Sequence, residues 1–553
     1  MARKKKKDRS PAPAAEVLTD MTKTETEDPS SVSGDSRNKK EEKDYVQNGV
    51  SRLIFVLLSL ILEITATVIG VQIADANLWI FSFLIRVFAF FLVLKIYSQN
   101  KTASMKMPWI LLIMSFPIVG VTLYILVGNS GSTRRLRLRF ALIDSKLLPK
   151  LPRNASTLQR LQDKEPYIGN VFSYLKSFAG FPVYQNTDVT FFPDALEGLK
   201  AQKEALRNAE HFIFMEYHAI EDAEAFHELE EILIEKAREG VVVRLIYDDM
   251  GSIGFINVDF INRMKEVGIE CRVFNPFAPG MRLVLNNRDH RKITVVDNKI
   301  GFTGGYNIAN EYFNYTHPFG EWKDTGIRLE GDAVRSLTVI FLEMWYAVRF
   351  DDVDDRECDS FLSDYDYTAK EDGFIQPYAD SPLGHEHIGE NVYISLIEHA
   401  ARSFWIMTPY LILTDEMIHA LGLAAKRGVD VRIITPGVPD KKLIYSVTRS
   451  YYHSLARNGV RIYEYSPGFL HAKQCIADGR TAICGTINLD YRSLYHHFEN
   501  ACLFTGFQAV TDIKTDFENS IERSNEVTEE YRSGRSSFMK VKDLIFRLFA
   551  PLL

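Results

Sequence analysis

The stretch DHRKITVVD (residues 289–297) places a histidine and a lysine two positions apart, directly before an apolar run that ends in aspartate. Because side chains alternate between the two faces of a β-strand, this spacing predicts that His290 and Lys292 point to one side and Arg291 to the other. An imidazole beside an ammonium group suits a phosphate ligand. Lysine supplies positive charge, and histidine can act as a nucleophile or a proton donor.

The same pattern occurs a second time, in LHAKQCIAD (residues 470–478), where His471 and Lys473 take the equivalent positions. The surrounding segments are also repeated. The echoed pairs are HFIFMEY (211–217) with SFWIMTPY (403–410), and KAREGVVVRLIYD (236–248) with AAKRGVDVRIITP (424–436). The second pair reads as a helix end with a capping glycine followed by a β-branched strand. The sequence therefore predicts two duplicated α/β halves that form one active site.

A glycine-rich turn follows each motif, in GFTGGYNIANEY (301–312) and AICGTINLDYRS (482–493). Asn307 and Asn488 each lie 17 residues after the motif histidine. Backbone N–H groups at such a turn can cradle an anion, and an asparagine amide adds a donor. We therefore predict that Asn307, Asn488, Gly304 and Gly305 bind substrate phosphate.

One acidic residue follows each turn, Asp324 in the first half and Glu499 in the second. A carboxylate behind a catalytic imidazole fixes its tautomer and stabilises its charged form. Asp324 and Glu499 are therefore predicted to orient the histidines.

A single His-x-Lys pair on a strand is usually a surface feature. Two copies with His, Lys, Asp and Asn at identical offsets make coincidence a poor explanation. The motif aspartates, Asp297 and Asp478, lie beyond the apolar run, where a turn or a structural hydrogen bond is the expected role.

Residues 1–46 are polar and almost free of aromatics, which predicts a disordered tail. Three apolar runs follow, at residues 53–73, 78–96 and 109–127, each close to the length that crosses a bilayer. We therefore expect N-terminal transmembrane helices within residues 47–130. Basic residues flank the third run on both sides, so the positive-inside rule leaves the number of spans and their orientation open.

The remaining divisions follow from composition and the repeat. They are a connector at 131–164, the first half at 165–350, an acidic linker at 351–385 and the second half at 386–553. The final segment, MKVKDLIFRLFAPLL (539–553), mixes basic and apolar residues. It reads equally well as an interfacial amphipathic helix or as a segment packed on the body.

The net charge of −7 argues against a general nucleic-acid binder, whose surface is usually basic. The five cysteines are an odd number without CxxC spacing, which argues against a simple disulfide framework or zinc site and suits a reducing compartment.

These residues resemble the phospholipase D superfamily, whose hallmark is two H-x-K-x4-D motifs in one site. Within it the chain looks most similar to bacterial cardiolipin synthases, over roughly residues 105–553, in segments such as NRDHRKITVVDNKIGFTGGYNIANEY and GFLHAKQCIADGRTAICGTINLDYRS. Two positions depart from that pattern. Thr486 stands where serine is common, and His497 stands where asparagine is usual.

The resemblance implies phosphatidyl transfer from one phosphatidylglycerol to another, giving cardiolipin and glycerol through a phosphohistidine, with no metal or other cofactor. It implies that the motif residues His290, Lys292, Asp297, His471, Lys473 and Asp478 form the catalytic set. We assign His290 as the nucleophile and His471 as the general acid and base, although the sequence also permits the reverse. A multi-pass protein of the cell membrane with a cytoplasmic catalytic body is the corresponding expectation.

Three rival functions use related chemistry. A hydrolytic phospholipase D would let water attack the intermediate, and a synthase using phosphatidylethanolamine as donor would differ only in the head-group pocket. A nucleic-acid phosphodiesterase would need a basic groove, which the acidic balance disfavours. We expect the bilayer and its phospholipids as partners, with no nucleic acid, and the sequence leaves the oligomeric state open.

Overall fold

The computed structural model describes residues 65, 79–99, 102–128, 133–257, 259–276, 287–349, 355–384, 386–533 and 546–548. The predicted disordered tail and nearly all of the first apolar run lie outside these residues. So does most of the C-terminal segment.

The N-terminal part of the described chain is helical. Its helices are α1 (Trp79–Tyr97), α2 (Ala103–Ser115) and α3 (Pro117–Leu123), with a π-helical turn at Tyr124–Gly128. The run predicted at 109–127 is therefore not one helix. Proline has no N–H and disfavours the helical conformation of the residue before it, so Phe116 (φ −135°, ψ 74°) separates α2 from α3. Within the described residues, none of the helices has both the length and the apolar character that crossing a bilayer requires.

The segment predicted as a connector is part of the packed body. It forms α4 (Thr133–Leu147) and α5 (Ala155–Lys164), and α6 (Pro166–Phe178) follows directly. Phe140, Ile143 and Leu147 recur at helical spacing and are buried in the main core. The ring of Phe140 stacks on Phe498 of the second half at 4.9 Å.

The first half is a mixed sheet covered by helices. Its strands are β1 (Thr187–Phe192), β2 (Phe212–Tyr217), β3 (Val242–Asp248), β4 (Glu270–Phe274), β5 (Arg288–Asp289), β6 (Lys292–Val296), β7 (Ile300–Gly304), β8 (Glu321–Lys323) and β9 (Gly326–Gly331). Its helices are α7 (Ala195–Arg207), α8 (Glu224–Arg238), α9 (Phe260–Glu266) and α10 (Val334–Val348). Seven strands form the sheet in the order β1-β9-β7-β6-β2-β3-β4, with β2, β3 and β4 parallel.

The second half repeats this sheet. Its strands are β10 (Phe374–Asp380), β11 (Ser403–Met407), β12 (Asp430–Pro436), β13 (Arg461–Tyr465), β14 (Gly468–Leu470), β15 (Gln474–Ala477), β16 (Thr481–Gly485), β17 (His497–Thr505) and β18 (Ser524–Glu526). Its helices are α12 (Ile388–His399), α13 (Asp415–Lys426), α14 (Lys442–Arg457), α15 (Tyr491–Tyr495), α16 (Gln508–Glu522) and α17 (Thr528–Arg532). The order β10-β17-β16-β15-β11-β12-β13-β18 matches the first sheet strand for strand and adds β18 at the edge.

The stretch predicted as a linker contributes to the packed body. It contains α11 (Asp355–Phe361), with Cys358 and Phe361 buried, and the whole of β10. Strand β10 pairs with β17 along its full length. The acidic composition of the residues before Phe374–Asp380 led to the linker prediction for the whole region. The second sheet therefore begins before residue 386.

Two short parallel pairs join the halves at the centre of the molecule. Strand β5 pairs with β17, and β14 pairs with β8. Buried side chains of both halves also form one continuous core. The halves are therefore packed into one body, and the segments that carry the two motifs meet between them.

One described turn of the C-terminal segment is helical, at residues 546–548. Phe546 packs against the main core, and the Arg547 guanidinium lies over the Tyr451 ring at 4.6 Å. For these residues, packing on the body is the observed arrangement.

Candidate active site

The two motif histidines occupy equivalent positions, each directly after one of the short strands that cross between halves. The backbone N–H of His290 donates to the Phe498 carbonyl at 2.9 Å, and that of His471 donates to the Lys323 carbonyl at 2.7 Å. Each histidine lies in the gap between two strands, not within a continuous strand as the alternation argument assumed. Each half therefore positions the histidine of the other.

The orienting carboxylates are exchanged between the halves. Nδ1 of His290 lies 2.9 and 3.0 Å from the two carboxylate oxygens of Glu499, and Nδ1 of His471 lies 2.6 Å from Asp324 Oδ2. When Nδ1–H donates to a carboxylate, the lone pair of the imidazole is on Nε2. Both histidines are thus held in the tautomer that a nucleophile or a general base requires.

Further hydrogen bonds fix the carboxylates themselves. Glu499 accepts hydrogen bonds from the hydroxyls of Thr486 and Ser493, and Asp324 Oδ1 accepts from the backbone N–H of Thr325 at 2.9 Å. Sequence reasoning missed the role of Ser493, and it noted Thr486 only as a departure from the family pattern. The hydroxyl is what matters at position 486, and threonine supplies it as serine would.

The two lysines are buried beside the histidines. Lys292 Nζ donates to the His290 carbonyl at 2.6 Å. Lys473 Nζ lies 2.6 Å from Nδ1 and 3.0 Å from Nε2 of His471, and 3.4 Å from the Gly305 carbonyl. Burial lowers the pKa of Lys292 to about 7 and that of Lys473 to about 8, although nearby carboxylates partly oppose the shift. An anion that enters between them would favour their charged forms.

The histidines are also neutral at rest. Burial, followed by the charge of Lys292, holds the pKa of His290 well below its usual range. Burial and Lys473 lower the pKa of His471 to about 4, against the opposing effect of Asp324. The site therefore has two neutral imidazoles and two lysines with lowered pKa values. Binding of a phosphate would raise these pKa values, so the site would take up protons.

Two asparagines were predicted to bind phosphate. Asn307 Nδ2 donates to the Tyr312 hydroxyl at 2.8 Å, and its Oδ1 accepts from the Ala219 N–H at 3.2 Å, so one of its two N–H donors remains for a ligand. Asn488 Oδ1 is buried without a hydrogen-bond partner in the described part of the chain. This oxygen is a hydrogen-bond acceptor, so it suits a substrate hydroxyl, whereas a phosphate oxygen would need an N–H of Nδ2.

The geometry around Gly304 and Gly305 favours a packing role over the predicted phosphate cradle. The Gly305 N–H already donates to the Thr325 carbonyl at 2.9 Å. A Cβ at this position would lie 2.0 Å from Asp324 Oδ1, and one at Gly304 would lie 2.5 Å from the Thr325 carbonyl. These glycines serve close packing, which lets the Asp324 carboxylate approach His471.

The motif aspartates are remote from this chemistry, at turns with positive φ, 53° for Asp297 and 54° for Asp478. Asp297 accepts hydrogen bonds from the N–H groups of residues 210–212, and Asp478 from those of residues 401–403. Each carboxylate caps the start of the strand beside its motif. Their inclusion in the catalytic set is therefore not supported, and the expected structural role is observed.

The surroundings of the two histidines differ, which sequence reasoning did not find. His290 lies against two further imidazoles, with ring centroids 5.0 Å from His218 and 5.4 Å from His497. His471 instead lies against Trp322 at 5.2 Å and Tyr312 at 5.3 Å. His497 and Trp322 each stand two residues before an orienting acid. The same position therefore has an imidazole in the second half and an indole in the first.

Comparison with known proteins gives the class. The family model described as "Cardiolipin synthase, PLD-like domain" matches residues 203–345 and 393–521, one segment in each half. A second model, "Phospholipase_D-nuclease N-terminal", matches residues 84–129. The matched segments contain both histidines, both lysines and both orienting acids.

Relatives match over most of the chain. An uncharacterized protein of Streptococcus mutans is 42% identical over 82% of this chain and 98% of its own. A cardiolipin synthase of Halalkalibacterium halodurans is 34% identical over 86% of this chain and 94% of its own. A solved phosphatidylserine synthase of Haemophilus influenzae shares the fold, with a TM-score of 0.52 and 16% identity over 69% of this chain and 99% of that one.

The fold and the paired histidines define a phospholipase D-like phosphatidyltransferase. The chain belongs to the cardiolipin synthase family of PLD-like proteins.

Proposed function

We propose that this protein makes cardiolipin by transferring a phosphatidyl group from one phosphatidylglycerol to another, with release of glycerol. The observation that carries this is the reciprocal exchange of carboxylates, which fixes two imidazoles in the same tautomer on either side of one site. Two such groups are what a double displacement at phosphorus needs, because one attacks while the other moves the proton.

In the first step, His290 Nε2 attacks the phosphorus of phosphatidylglycerol. His471 first gains a proton on Nε2 as the anionic phosphate enters the site. The phosphorus–nitrogen bond then forms as the bond to the glycerol oxygen breaks, and His471 donates that proton to the oxygen. His290 suits the attack because its Nε2 has no hydrogen-bond partner in the described residues, whereas Lys473 lies 3.0 Å from Nε2 of His471. A lysine lowers the pKa of each imidazole, so the assignment rests on this difference at Nε2.

In the second step, His471 takes the proton from a glycerol hydroxyl of another phosphatidylglycerol. The oxygen attacks the phosphohistidine, the phosphorus–nitrogen bond breaks, and cardiolipin leaves. Lys292, Lys473, Asn307 and Asn488 surround the phosphoryl oxygens, where negative charge develops. One phosphodiester replaces another, so the exchange needs no nucleotide to drive it.

Lipid substrates require the site to work at a bilayer surface. Large apolar side chains of α1, including Phe83, Leu84 and Phe88, are exposed. We place the protein in the cell membrane with its catalytic body on the cytoplasmic side; the exposed side chains support the contact with the membrane.

The test uses purified full-length protein in mixed micelles with labelled phosphatidylglycerol as the lipid substrate, without nucleotide. We expect cardiolipin and equimolar glycerol, and no product from His290→Ala. Phosphatidic acid in place of cardiolipin would identify a hydrolase. Turnover that begins only when phosphatidylethanolamine is added would identify a different donor.

The assignment of the two histidines needs a separate experiment. In His471→Asn, a donor with a good leaving group should leave label bound covalently to the protein, and in His290→Asn it should not. Label retained only in His290→Asn would reverse the two roles.

A further inference from the structure

His497 is a polar side chain to which the proposed reaction assigns no role. Its side chain is 11% exposed, and among the residues that the structure describes neither ring nitrogen lies within hydrogen-bond distance of a partner; Glu499 Oε1 lies 3.7 Å from Nδ1. A mostly buried imidazole that makes no hydrogen bond costs free energy, and an added ligand between it and Glu499 would offset that cost. The ring faces the reactive histidine at a centroid distance of 5.4 Å.

Three ligand atoms converge at this place. One atom each of His290, His497 and Glu499 lie within 4.8 Å of one another. The closest approaches are 2.9 Å between His290 Nδ1 and Glu499 Oε1, and 3.7 Å between His497 Nδ1 and the same oxygen. Ligands of a tetrahedral zinc ion are about 3.3 Å apart, so side-chain movements of roughly 1 Å would complete the set.

The ligand types select the ion. Two imidazoles and one carboxylate suit a borderline transition metal such as Zn²⁺, in a set that leaves a fourth position open. The hydroxyls of Thr486 and Ser493 already donate to Glu499, as outer partners of a ligating carboxylate do. A carboxylate has enough lone pairs to keep both hydrogen bonds and bind a metal.

We propose that His290, His497 and Glu499 form an inhibitory binding site for zinc-like divalent ions. A metal ion held there occupies the imidazole that attacks phosphorus and the carboxylate that orients it, so the ion and the reaction compete for the same groups. Among the described residues His471 has no matching site, since Trp322 stands at the position equivalent to His497 and offers no metal ligand. The inhibition rests on the proposed function, whereas the binding of the ion does not.

The binding test therefore uses a signal that is independent of activity. Full-length protein in detergent is titrated with Co²⁺, whose visible absorption reports coordination by nitrogen and oxygen ligands. We expect absorption in the unaltered protein, and a loss of affinity of roughly tenfold or more in both His497→Asn and His497→Gln. His227→Asn is the matched control. It removes a histidine from the cluster of Asp222, His227 and Glu230, whose two acids are already paired with Arg263.

The inhibition test follows turnover of labelled phosphatidylglycerol as Zn²⁺ is added, with each variant normalised to its own metal-free rate. We expect full inhibition that a chelator reverses, and a half-inhibiting concentration roughly tenfold higher in His497→Asn. Thermal melting confirms that each variant is folded. An absence of Co²⁺ absorption in the unaltered protein, or an affinity in both His497 variants equal to that of the unaltered protein, would overturn the proposal even if the protein has no transferase activity.

Discussion

Glu499 of the second half binds His290 of the first half at 2.9 Å, and Asp324 of the first half binds His471 of the second at 2.6 Å. The exchange follows from the two parallel strand pairs that cross between halves, because each pair sets the residue before a histidine opposite the residue before an acid. Neither half contains a complete site. This arrangement makes the activity depend on both halves together.

The charge of Glu499 can be tested without changing its size. In Glu499→Gln, the negative charge that stabilises the imidazolium is lost, and we expect kcat to fall roughly 100-fold or more. The substrate KM should change much less, because the carboxylate does not contact the lipid. Glu526→Gln is the control, since Glu526 forms an exposed ion pair with Arg461. A fall in kcat of less than about threefold would contradict the orienting role.

Binding of phosphate should be accompanied by proton uptake. At pH 7.5 His471, with a pKa of about 4, is neutral and Lys292, with a pKa of about 7, is largely deprotonated. An anion between them raises both pKa values, so protons are taken up and the affinity falls as the pH rises. We expect uptake of up to about one proton per inorganic phosphate bound, from calorimetry in buffers of different ionisation enthalpy.

Lys292→Arg should reduce that uptake, because a guanidinium is already charged at this pH. Lys299→Arg, at a lysine with a 38% exposed side chain, is the control and should leave it unchanged. Zero uptake or proton release in the unaltered protein would show that the resting site is already protonated.

Gly305 should not tolerate a side chain. In Gly305→Ala the new Cβ would lie 2.0 Å from Asp324 Oδ1, which forces the carboxylate away from His471. We expect kcat to fall by roughly 10-fold to 100-fold, with a smaller effect on melting temperature. Gly384→Ala is the matched control, since its nearest neighbour would be 3.6 Å away. Equal kcat in both variants would mean that Asp324 does not need this close approach.

Asp297 should contribute to stability and not to chemistry. In Asp297→Asn the acceptor set for the N–H groups of residues 210–212 is reduced, and we expect a loss of roughly 1 kcal/mol or more in the free energy of unfolding. Thermal melting measures the loss, and activity per folded molecule should change only slightly. A large fall in kcat without a fall in melting temperature would return Asp297 to the catalytic set.

Much of the site could be read from the sequence because its signals are local. The two-residue spacing of His290 and Lys292, repeated at His471 and Lys473, places an imidazole beside an ammonium group independently of the rest of the fold. Strand β10 was missed for the opposite reason. Its residues, FIQPYAD, are mostly apolar, but they follow the acidic stretch that led the whole region to be assigned to a linker, and the pairing with β17 shows that they form a strand.

The sequence by itself determined the duplication, the class of chemistry and the residues that carry it, since each depends on residue types at short and repeated spacings. Only the tertiary structure decided which acid serves which histidine, that the Gly305 N–H is already bonded, and that His290 faces imidazoles where His471 faces aromatic rings. These facts depend on strand pairing between segments about 150 to 210 residues apart. That pairing is fixed by the burial of both halves in one core, so it cannot be predicted from the spacing of residues that are close in the sequence.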